Sequence, residues 1–250
     1  MSVFSRIRGL LFPPKCAACG ELLDWYEASK RGDALCPTCK KRWISEKLET
    51  CGHCSKRVTE CSCMPEDLRK SRCLGHRKLT YYLHGTREPV QNLVIYHIKE
   101  NRDLTATAFL TSELLPILEE LLETNGVAPQ DAILTYVPRG RAAKAKYGTD
   151  QAELLARMLS RKSGVPCRRL LGRRRRASRE QKRLTADERR KNARAAFRAG
   201  RDEKIDAKLL FLVDDIVTTG TSAAACVQIL REMGAKKIYC ISVASDDVNR

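Results

Sequence analysis

Lys208–Ser222 reads Lys-Leu-Leu-Phe-Leu-Val-Asp-Asp-Ile-Val-Thr-Thr-Gly-Thr-Ser. Its first part, Leu209–Val213, is a continuous apolar run, which is the pattern of a strand buried on both faces of a parallel sheet. The run predicts a strand that stops at Asp214 and Asp215. Because open α/β sheets bind ligands at the carboxyl ends of their strands, the two acids lie where a ligand site is expected.

A loop rich in hydroxyl groups follows the acids and opens a helix, whose apolar face is predicted to hold Cys226, Ile229, Leu230 and Met233. Backbone N–H groups, hydroxyls and the positive end of the helix dipole then converge on the loop, and this combination suits a phosphate. A buried strand that ends in solvated acids before an ordinary helix cap is the plainer alternative. A P-loop nucleotide site is excluded, because the chain has no G-x-x-x-x-G-K-[ST] motif.

In its order of apolar run, acid pair and hydroxyl loop, this segment resembles the phosphoribosyl pyrophosphate (PRPP) motif of type I phosphoribosyltransferases. The resemblance implies that Asp214 and Asp215 hold the ribose hydroxyls of PRPP and serve as the catalytic acids. It also implies a set of ligands for the 5′-phosphate, namely Thr218, Thr219, Gly220, Thr221 and Ser222.

Nine of the twelve cysteines lie between Cys16 and Cys73. Eight of them form two sets: Cys16, Cys19, Cys36 and Cys39 in the first, and Cys51, Cys54, Cys61 and Cys63 in the second. Two Cys-x-x-Cys pairs per site are typical of a structural zinc ribbon, and four thiolates leave no open position for catalysis. A reduced thiol cluster without metal is the alternative for the first set.

The second cysteine set is less regular than the first. Only one residue separates Cys61 from Cys63, so His53 or Cys73 is an alternative ligand for one thiolate. The sequence therefore predicts either one zinc ion or two.

The charge of the chain is strongly positive and concentrated. The net charge is +17, and residues 168–201 contain fifteen basic and three acidic side chains. Such a block suggests a polyanionic partner, either nucleic acid or a pyrophosphate-bearing substrate, although a solvated segment is the plainer alternative. No apolar run approaches the roughly 18 residues of a membrane span, and the N-terminus lacks a signal-peptide pattern, so we expect a cytoplasmic protein.

From residue 79 onward, predicted strands alternate with predicted helices, which favours a parallel sheet flanked by helices. The predicted strands other than 209–213 are 79–85, 132–137, 165–171, 195–198 and 238–244. A polar linker is predicted at 65–78, and the polar, basic segment 173–192 is predicted to be either a lid or a disordered segment.

Several segments together resemble the competence protein F (ComF) family in order and spacing: the paired cysteines, Val137-Pro138, Asp150–Ala156, Gln181–Phe197 and the PRPP motif. The resemblance implies an α/β type I phosphoribosyltransferase fold at residues 79–250 behind a zinc-ribbon domain at residues 1–66. It further implies a role in bacterial uptake of transforming DNA, alongside a DNA-translocating helicase.

Within this family interpretation, PRPP binds with Mg²⁺, and Arg139 and Gly140 form the pyrophosphate loop. Lys182, Arg189 or Arg190 of the lid is expected to reach the pyrophosphate, and the acceptor stays unassigned. The alternative hypothesis is a non-catalytic adaptor, in which the fold senses PRPP or a nucleotide while the ribbon and the basic surface bind single-stranded DNA and a helicase.

Overall fold

The computed structural model describes residues 13–24, 34–86, 88–100, 104–140, 145, 148, 150–174, 192–200 and 204–246. The strands in this part of the chain are β1 (Gly75–Tyr81), β2 (Ala132–Tyr136), β3 (Leu171–Arg173), β4 (Phe197–Ala199), β5 (Leu209–Val217) and β6 (Ile238–Ser245). The helices are α1 (Pro37–Lys47), α2 (Glu66–Lys70), α3 (Val90–Glu100), α4 (Leu104–Thr124), α5 (Gln151–Ser163) and α6 (Thr221–Glu232), with a 3₁₀ turn at Pro129–Asp131.

Four of the strands form a parallel sheet in the order β1-β6-β5-β2. Strands β3 and β4 pair separately and antiparallel. Within the sheet, β5 lies between β6 and β2, so its carboxyl end opens at the middle of the ligand-binding edge.

Strand β5 is buried on both faces, as the apolar run predicts. Leu209, Phe211 and Val213 join one apolar core, which also contains residues of α3, α4 and α5. Leu210 and Leu212 join a second core, formed with α2 and α6. The predicted parallel sheet with helices on its faces is therefore confirmed.

Strand β5 does not stop at the two acids, which corrects the sequence prediction. It runs to Val217, because pairing with β6 continues past the acids as far as Val217 and Ser245. Asp214 and Asp215 therefore belong to the last residues of a hydrogen-bonded strand. Their backbone is held more firmly than that of a loop.

The region predicted as a polar linker is structured. Residues 66–70 form α2, and β1 begins at Gly75 rather than at Leu79. The polar side chains of His76, Arg77 and Lys78 concealed this strand in the sequence, yet all three residues are buried. The second cysteine segment covers them, since the guanidinium of Arg77 donates to Thr59 O (2.7 Å).

The segment 165–171 is not a regular strand of the main sheet. Cys167 forms a single parallel bridge with Leu134, and the regular strand β3 begins only at Leu171 and pairs with β4. The short strand predicted at 195–198 is β4, displaced by one or two residues.

The first cysteine segment packs on the helices that flank the sheet. The indole ring of Trp43 in α1 meets Phe109 of α4 at 5.2 Å between centroids, and its Nε1 donates to Glu113 (2.8 Å). Cys16, Cys36 and Cys39 belong to the same apolar core as the central strands. Among the helices described, none has the length and apolar character needed to cross a membrane.

Candidate functional site

The two acids at the end of β5 have different surroundings. Asp214 Oδ1 accepts a hydrogen bond from the backbone N–H of Asp215 (2.9 Å). The carboxylate of Asp215 is buried and forms ion pairs with Arg139 Nη2 (2.8 Å) and Lys99 Nζ (3.5 Å). Two cations from different elements therefore converge on one of the two acids.

These surroundings move the two pKa values in opposite directions. Burial and the negative charge of Asp215 raise the pKa of Asp214 well above its ordinary value. Burial acts on Asp215 as well, but the positive charges of Lys99 and Arg139 outweigh it and hold the pKa of Asp215 below its ordinary value. The ligand-free protein thus opposes ionisation of Asp214, and a cation bound beside the acids relieves that cost.

The hydroxyl loop turns sharply at Gly220 and then enters α6. Gly220 has φ of +74° in the left-handed region, and a Cβ at this position lies 3.1 Å from Pro65 Cβ and 3.2 Å from Leu68 Cβ. The backbone conformation favours glycine, and any Cβ here would require Pro65 or Leu68 to move by a few tenths of an ångström. The hydroxyls of Thr219 and Thr221 are 3.0 Å apart at the start of α6, where backbone N–H groups point away from the helix.

One cavity of about 190 Å³ collects almost all of the residues proposed from the sequence to bind PRPP. Its lining comprises Val137, Pro138, Arg139, Ala152, Arg173 and the whole of residues 214–223. Acids, hydroxyls and guanidinium groups therefore face the same space.

Arg139 is placed by its own loop and by the start of α5. Its backbone N–H donates to Asp150 Oδ2 (2.9 Å), while the other oxygen of Asp150 caps α5 by accepting from Glu153 N (3.5 Å). Gly140 is outside the lining, and a Cβ there makes only an ordinary contact with Arg173, at 3.6 Å. The structure therefore gives no steric reason for glycine at this position.

Three of the residues that organise the site were not proposed from the sequence: Lys99, Asp150 and Arg173. Asp150 carried a signal, because an acid before an amphipathic helix is a typical N-cap. Lys99 has no signal in the sequence, because its ion pair with Asp215 depends on how α3 packs against the sheet. Arg173 stood at the start of the predicted lid, whereas Lys182, Arg189 and Arg190 lie outside the described residues.

Gln151 supports the position of Lys99. Its side chain is buried, and Nε2 donates to the backbone oxygens of Ile98 (3.0 Å) and Lys99 (3.4 Å). The C-terminal turn of α3 is therefore tied to the first turn of α5, and Lys99 is held beside the acids.

The cysteines form two separate clusters of four, and in each the Sγ atoms lie within 4.8 Å of one another. The first contains Cys16, Cys19, Cys36 and Cys39, and the second contains Cys51, Cys54, Cys61 and Cys63. The structure brings together both predicted sets of four cysteines, and neither His53 nor Cys73 belongs to a cluster. Cys73 is buried at a different place, where its thiol donates to Gly75 O (3.3 Å).

One sulfur–sulfur distance in the first cluster fits a tetrahedral zinc ion. Zn–S bonds of about 2.3 Å place sulfurs about 3.8 Å apart in a tetrahedron, and Cys19 Sγ lies 3.8 Å from Cys36 Sγ. Backbone N–H groups donate to sulfur in both clusters, from Cys36 to Cys16 and from Cys63 to Cys61, each at 3.3 Å. Such donors stabilise thiolates.

The chain resembles curated bacterial proteins over most of its length, although no family model matches it. Competence protein F of Haemophilus influenzae is 26% identical over 220 residues, which are 85% of this chain and 90% of that protein. DNA utilization protein YhgH of Escherichia coli O157:H7 is 30% identical over 155 residues, which are 61% of this chain and 67% of that protein. The chain belongs to the competence protein F family.

Membership of the competence protein F family confirms the family resemblance inferred from the sequence. Among solved structures, "Structure of the allosteric regulatory enzyme of purine biosynthesis" aligns with a TM-score of 0.34 at 20% identity, over 54% of this chain and 25% of that chain. A likeness of this size assigns no activity.

Proposed function

We propose that this member of the competence protein F family binds PRPP with Mg²⁺ in the cavity at the end of β5 and acts as a phosphoribosyltransferase. The observation that carries the proposal is the convergence of the acid pair, the hydroxyl loop and Arg139 on one cavity. A ribose, a phosphate and a pyrophosphate need these three kinds of groups, respectively.

The acids serve the ribose. Carboxylates accept hydrogen bonds from hydroxyl groups, so Asp214 and Asp215 hold the 2′ and 3′ hydroxyls. Mg²⁺ enters as part of the substrate and, bound beside the acids, favours the ionised form of Asp214. Because β5 stays paired with β6 past both acids, the sugar is held against a rigid strand.

The loop 218–222 serves the 5′-phosphate. The turn at Gly220 brings backbone N–H groups at the start of α6 together with the exposed hydroxyls of Thr218, Thr219 and Ser222. The positive end of the α6 dipole adds to this attraction. A dianionic phosphate matches both the donors and the charge.

The cations serve the pyrophosphate. Arg139 and Arg173 line the cavity, and Lys99 Nζ lies 3.5 Å from the carboxylate of Asp215, which lines it as well. In the transfer, the bond between ribose C1 and the pyrophosphate oxygen breaks, the acceptor nucleophile bonds to C1, and pyrophosphate leaves with the bonding electrons. Fixed cations stabilise that growing negative charge.

The two cysteine clusters are proposed to hold one structural zinc ion each. In the relatives' names, competence and DNA utilization point to DNA handling, and we extend this role to the present chain as a part in DNA uptake in the cytoplasm. The clusters and the phosphoribosyl site are then two parts of one DNA-uptake protein.

Calorimetry with Mg²⁺ and PRPP tests the proposal. Asp215→Asn is expected to weaken PRPP binding by at least about tenfold, since it removes the partner of Arg139 and Lys99 and one acceptor for the ribose. Asp131→Asn is the matched control, because Asp131 is an acid paired with Lys208 at the surface (2.8 Å) and away from the cavity. Unchanged affinity in Asp215→Asn, or no PRPP binding by the wild type, contradicts the proposal.

An adaptor is the second candidate, and the net charge of +17 favours it. In this case the chain binds PRPP as a sensor, without transfer, and binds single-stranded DNA and a helicase through its basic surface. Release of pyrophosphate from PRPP, measured against candidate acceptors, separates transfer from sensing. Single-stranded DNA affinity that does not fall as salt rises rules out electrostatic DNA binding.

A further inference from the structure

The second cysteine cluster lies on the edge strand of the sheet. Lys78 of β1 is fully buried, and its Nζ donates to Cys63 O (2.9 Å) and to Cys61 Sγ (3.4 Å). The backbone N–H of His76 donates to Ser62 O (3.3 Å). Residues 61–63 are therefore fixed to the sheet, and Lys78 places its ammonium group beside the second cysteine cluster.

Two residues after Cys63, the chain packs against the back of the hydroxyl loop. Pro65 is the N-cap of α2, and Leu68 within α2 is fully buried in the core shared with α6. These are the two residues whose side chains lie 3.1 Å and 3.2 Å from the Cβ position of Gly220. The sharp turn of the phosphate loop thus rests directly on the segment that leaves the second cluster.

Asp67 links α2 to the loop by a hydrogen bond. The hydroxyl of Thr221 donates to Asp67 Oδ2 (2.7 Å), and Thr219 Oγ1 lies 3.0 Å from Thr221 Oγ1. Because the single proton of Thr221 is directed to Asp67, the hydroxyl of Thr219 is the donor between the two threonines. Asp67 is not among the residues that line the cavity, so it acts from behind the loop.

We propose that Asp67 is a positioning residue for the phosphate loop, and that the metal in the second cysteine cluster supports the loop through α2. The inference rests on the proposed PRPP function, since it names the groups that hold the 5′-phosphate site in shape. Thr221 then supports the loop through its side chain and serves the phosphate through its backbone N–H. Metal occupancy at the second cluster and PRPP affinity are coupled, because both require the same position of α2.

A double-mutant cycle tests the role of Asp67. Asp67→Ala and Thr221→Val each remove the hydrogen bond, and each is expected to weaken the binding of Mg²⁺-PRPP about tenfold. The double variant is also expected to be about tenfold weaker, rather than about a hundredfold, because both changes remove one interaction. Asp67→Asn keeps an acceptor oxygen and is expected to stay within about threefold of wild type.

Glu66→Ala is the matched control, because Glu66 is an exposed acid of α2 that pairs with Lys70 (2.6 Å). Additive losses in the double variant, or equal or tighter binding in Asp67→Ala, overturn the positioning role. Tighter binding in particular identifies Asp67 as a competitor of the phosphate.

Hydrogen exchange of the full-length protein separates this inference from the proposed function. Faster exchange of the amides of residues 218–224 is expected in Asp67→Ala and in Cys61→Ser/Cys63→Ser. In Cys16→Ser/Cys19→Ser, which disrupts the first cluster, these amides are expected to exchange at the wild-type rate. If the wild type binds no PRPP but shows this exchange pattern, the proposed function is wrong and the support of the loop by α2 is upheld. If PRPP binds and exchange is unchanged in Asp67→Ala, the positioning role of Asp67 is wrong.

Discussion

Asp214 and Asp215 are adjacent in the chain and differ in what surrounds their carboxylates. The negative charge of Asp215 is compensated by Lys99 and Arg139, whereas Asp214 lies beside the negative charge of Asp215. Such an arrangement is unfavourable without a ligand, and the proposed Mg²⁺ and ribose are expected to offset its cost. Functional sites commonly carry this kind of cost.

Asp214→Asn is expected to stabilise the ligand-free protein and to abolish PRPP binding. The amide still accepts the hydrogen bond from Asp215 N, and it removes the repulsion between the two acids. A gain of roughly 1 kcal/mol corresponds to a rise in melting temperature of about 2–4 °C for a chain of this size. Thermal unfolding and calorimetry check the two effects.

The stability that Asp214→Asn is expected to gain depends on pH. A raised pKa means that the folded protein holds the proton of Asp214 where the unfolded chain has lost it, so this acid lowers stability as pH rises above about 3.9. The advantage of Asp214→Asn over wild type is therefore expected to grow from pH 4 upward. A variant less stable than wild type at pH 7 contradicts the assignment.

The loop between β5 and α6 is the element on which the proposed phosphate site depends. Gly220→Ala is expected to lower the free energy of unfolding by about 1–2 kcal/mol through the left-handed backbone alone, and by more because its Cβ meets Pro65 and Leu68. PRPP binding is expected to be lost with it. Denaturant unfolding and calorimetry measure both losses.

Gly126→Ala is a matched control for that substitution. Gly126 also has a left-handed backbone, with φ of +60°, but a Cβ there has nothing within 4 Å. The difference between the two variants isolates the packing of the loop on α2. Equal destabilisation in both shows that this packing contributes nothing.

Elements with a local sequence pattern were predicted more completely than features that depend on tertiary contacts. The apolar run of β5 and the stripe of α6 were predictable from spacing. The residues of the run are buried, as are Cys226, Ile229 and Leu230, whereas Met233 follows the last residue of α6 and is only partly buried. Strand β1 was predicted four residues late, because Lys78 and its neighbours look like a solvated segment until the cysteine segment covers them. Likewise, the contact of Lys99 with Asp215 joins residues far apart in the chain, and no local pattern contains it.

The described part of the molecule combines two cysteine clusters with the cavity at the end of β5. The first cluster packs on α3 and α4, and the second lies on β1 and leads into α2. The spacing of the cysteines in the sequence predicted both sets of four, but not the helices and strands on which each set packs. That difference came only from the packing around them.

Two zinc ions per chain are expected from metal analysis. Cys19→Ser and Cys54→Ser are each expected to reduce the content to about one, because a site that loses one of four thiolates binds zinc far more weakly. Cys167→Ser is the control, since this half-buried cysteine belongs to neither cluster. One zinc ion per wild-type chain contradicts the assignment of the second cluster.

Hydrogen exchange of the wild-type protein with and without Mg²⁺-PRPP tests the central claim most directly. Binding is expected to slow exchange at residues 218–223 and at Arg139, the loops that border the cavity, and to leave the surface of the first cysteine cluster unchanged. Binding without protection at 218–223, or protection confined to the cysteine segments, contradicts the placement of PRPP at the end of β5.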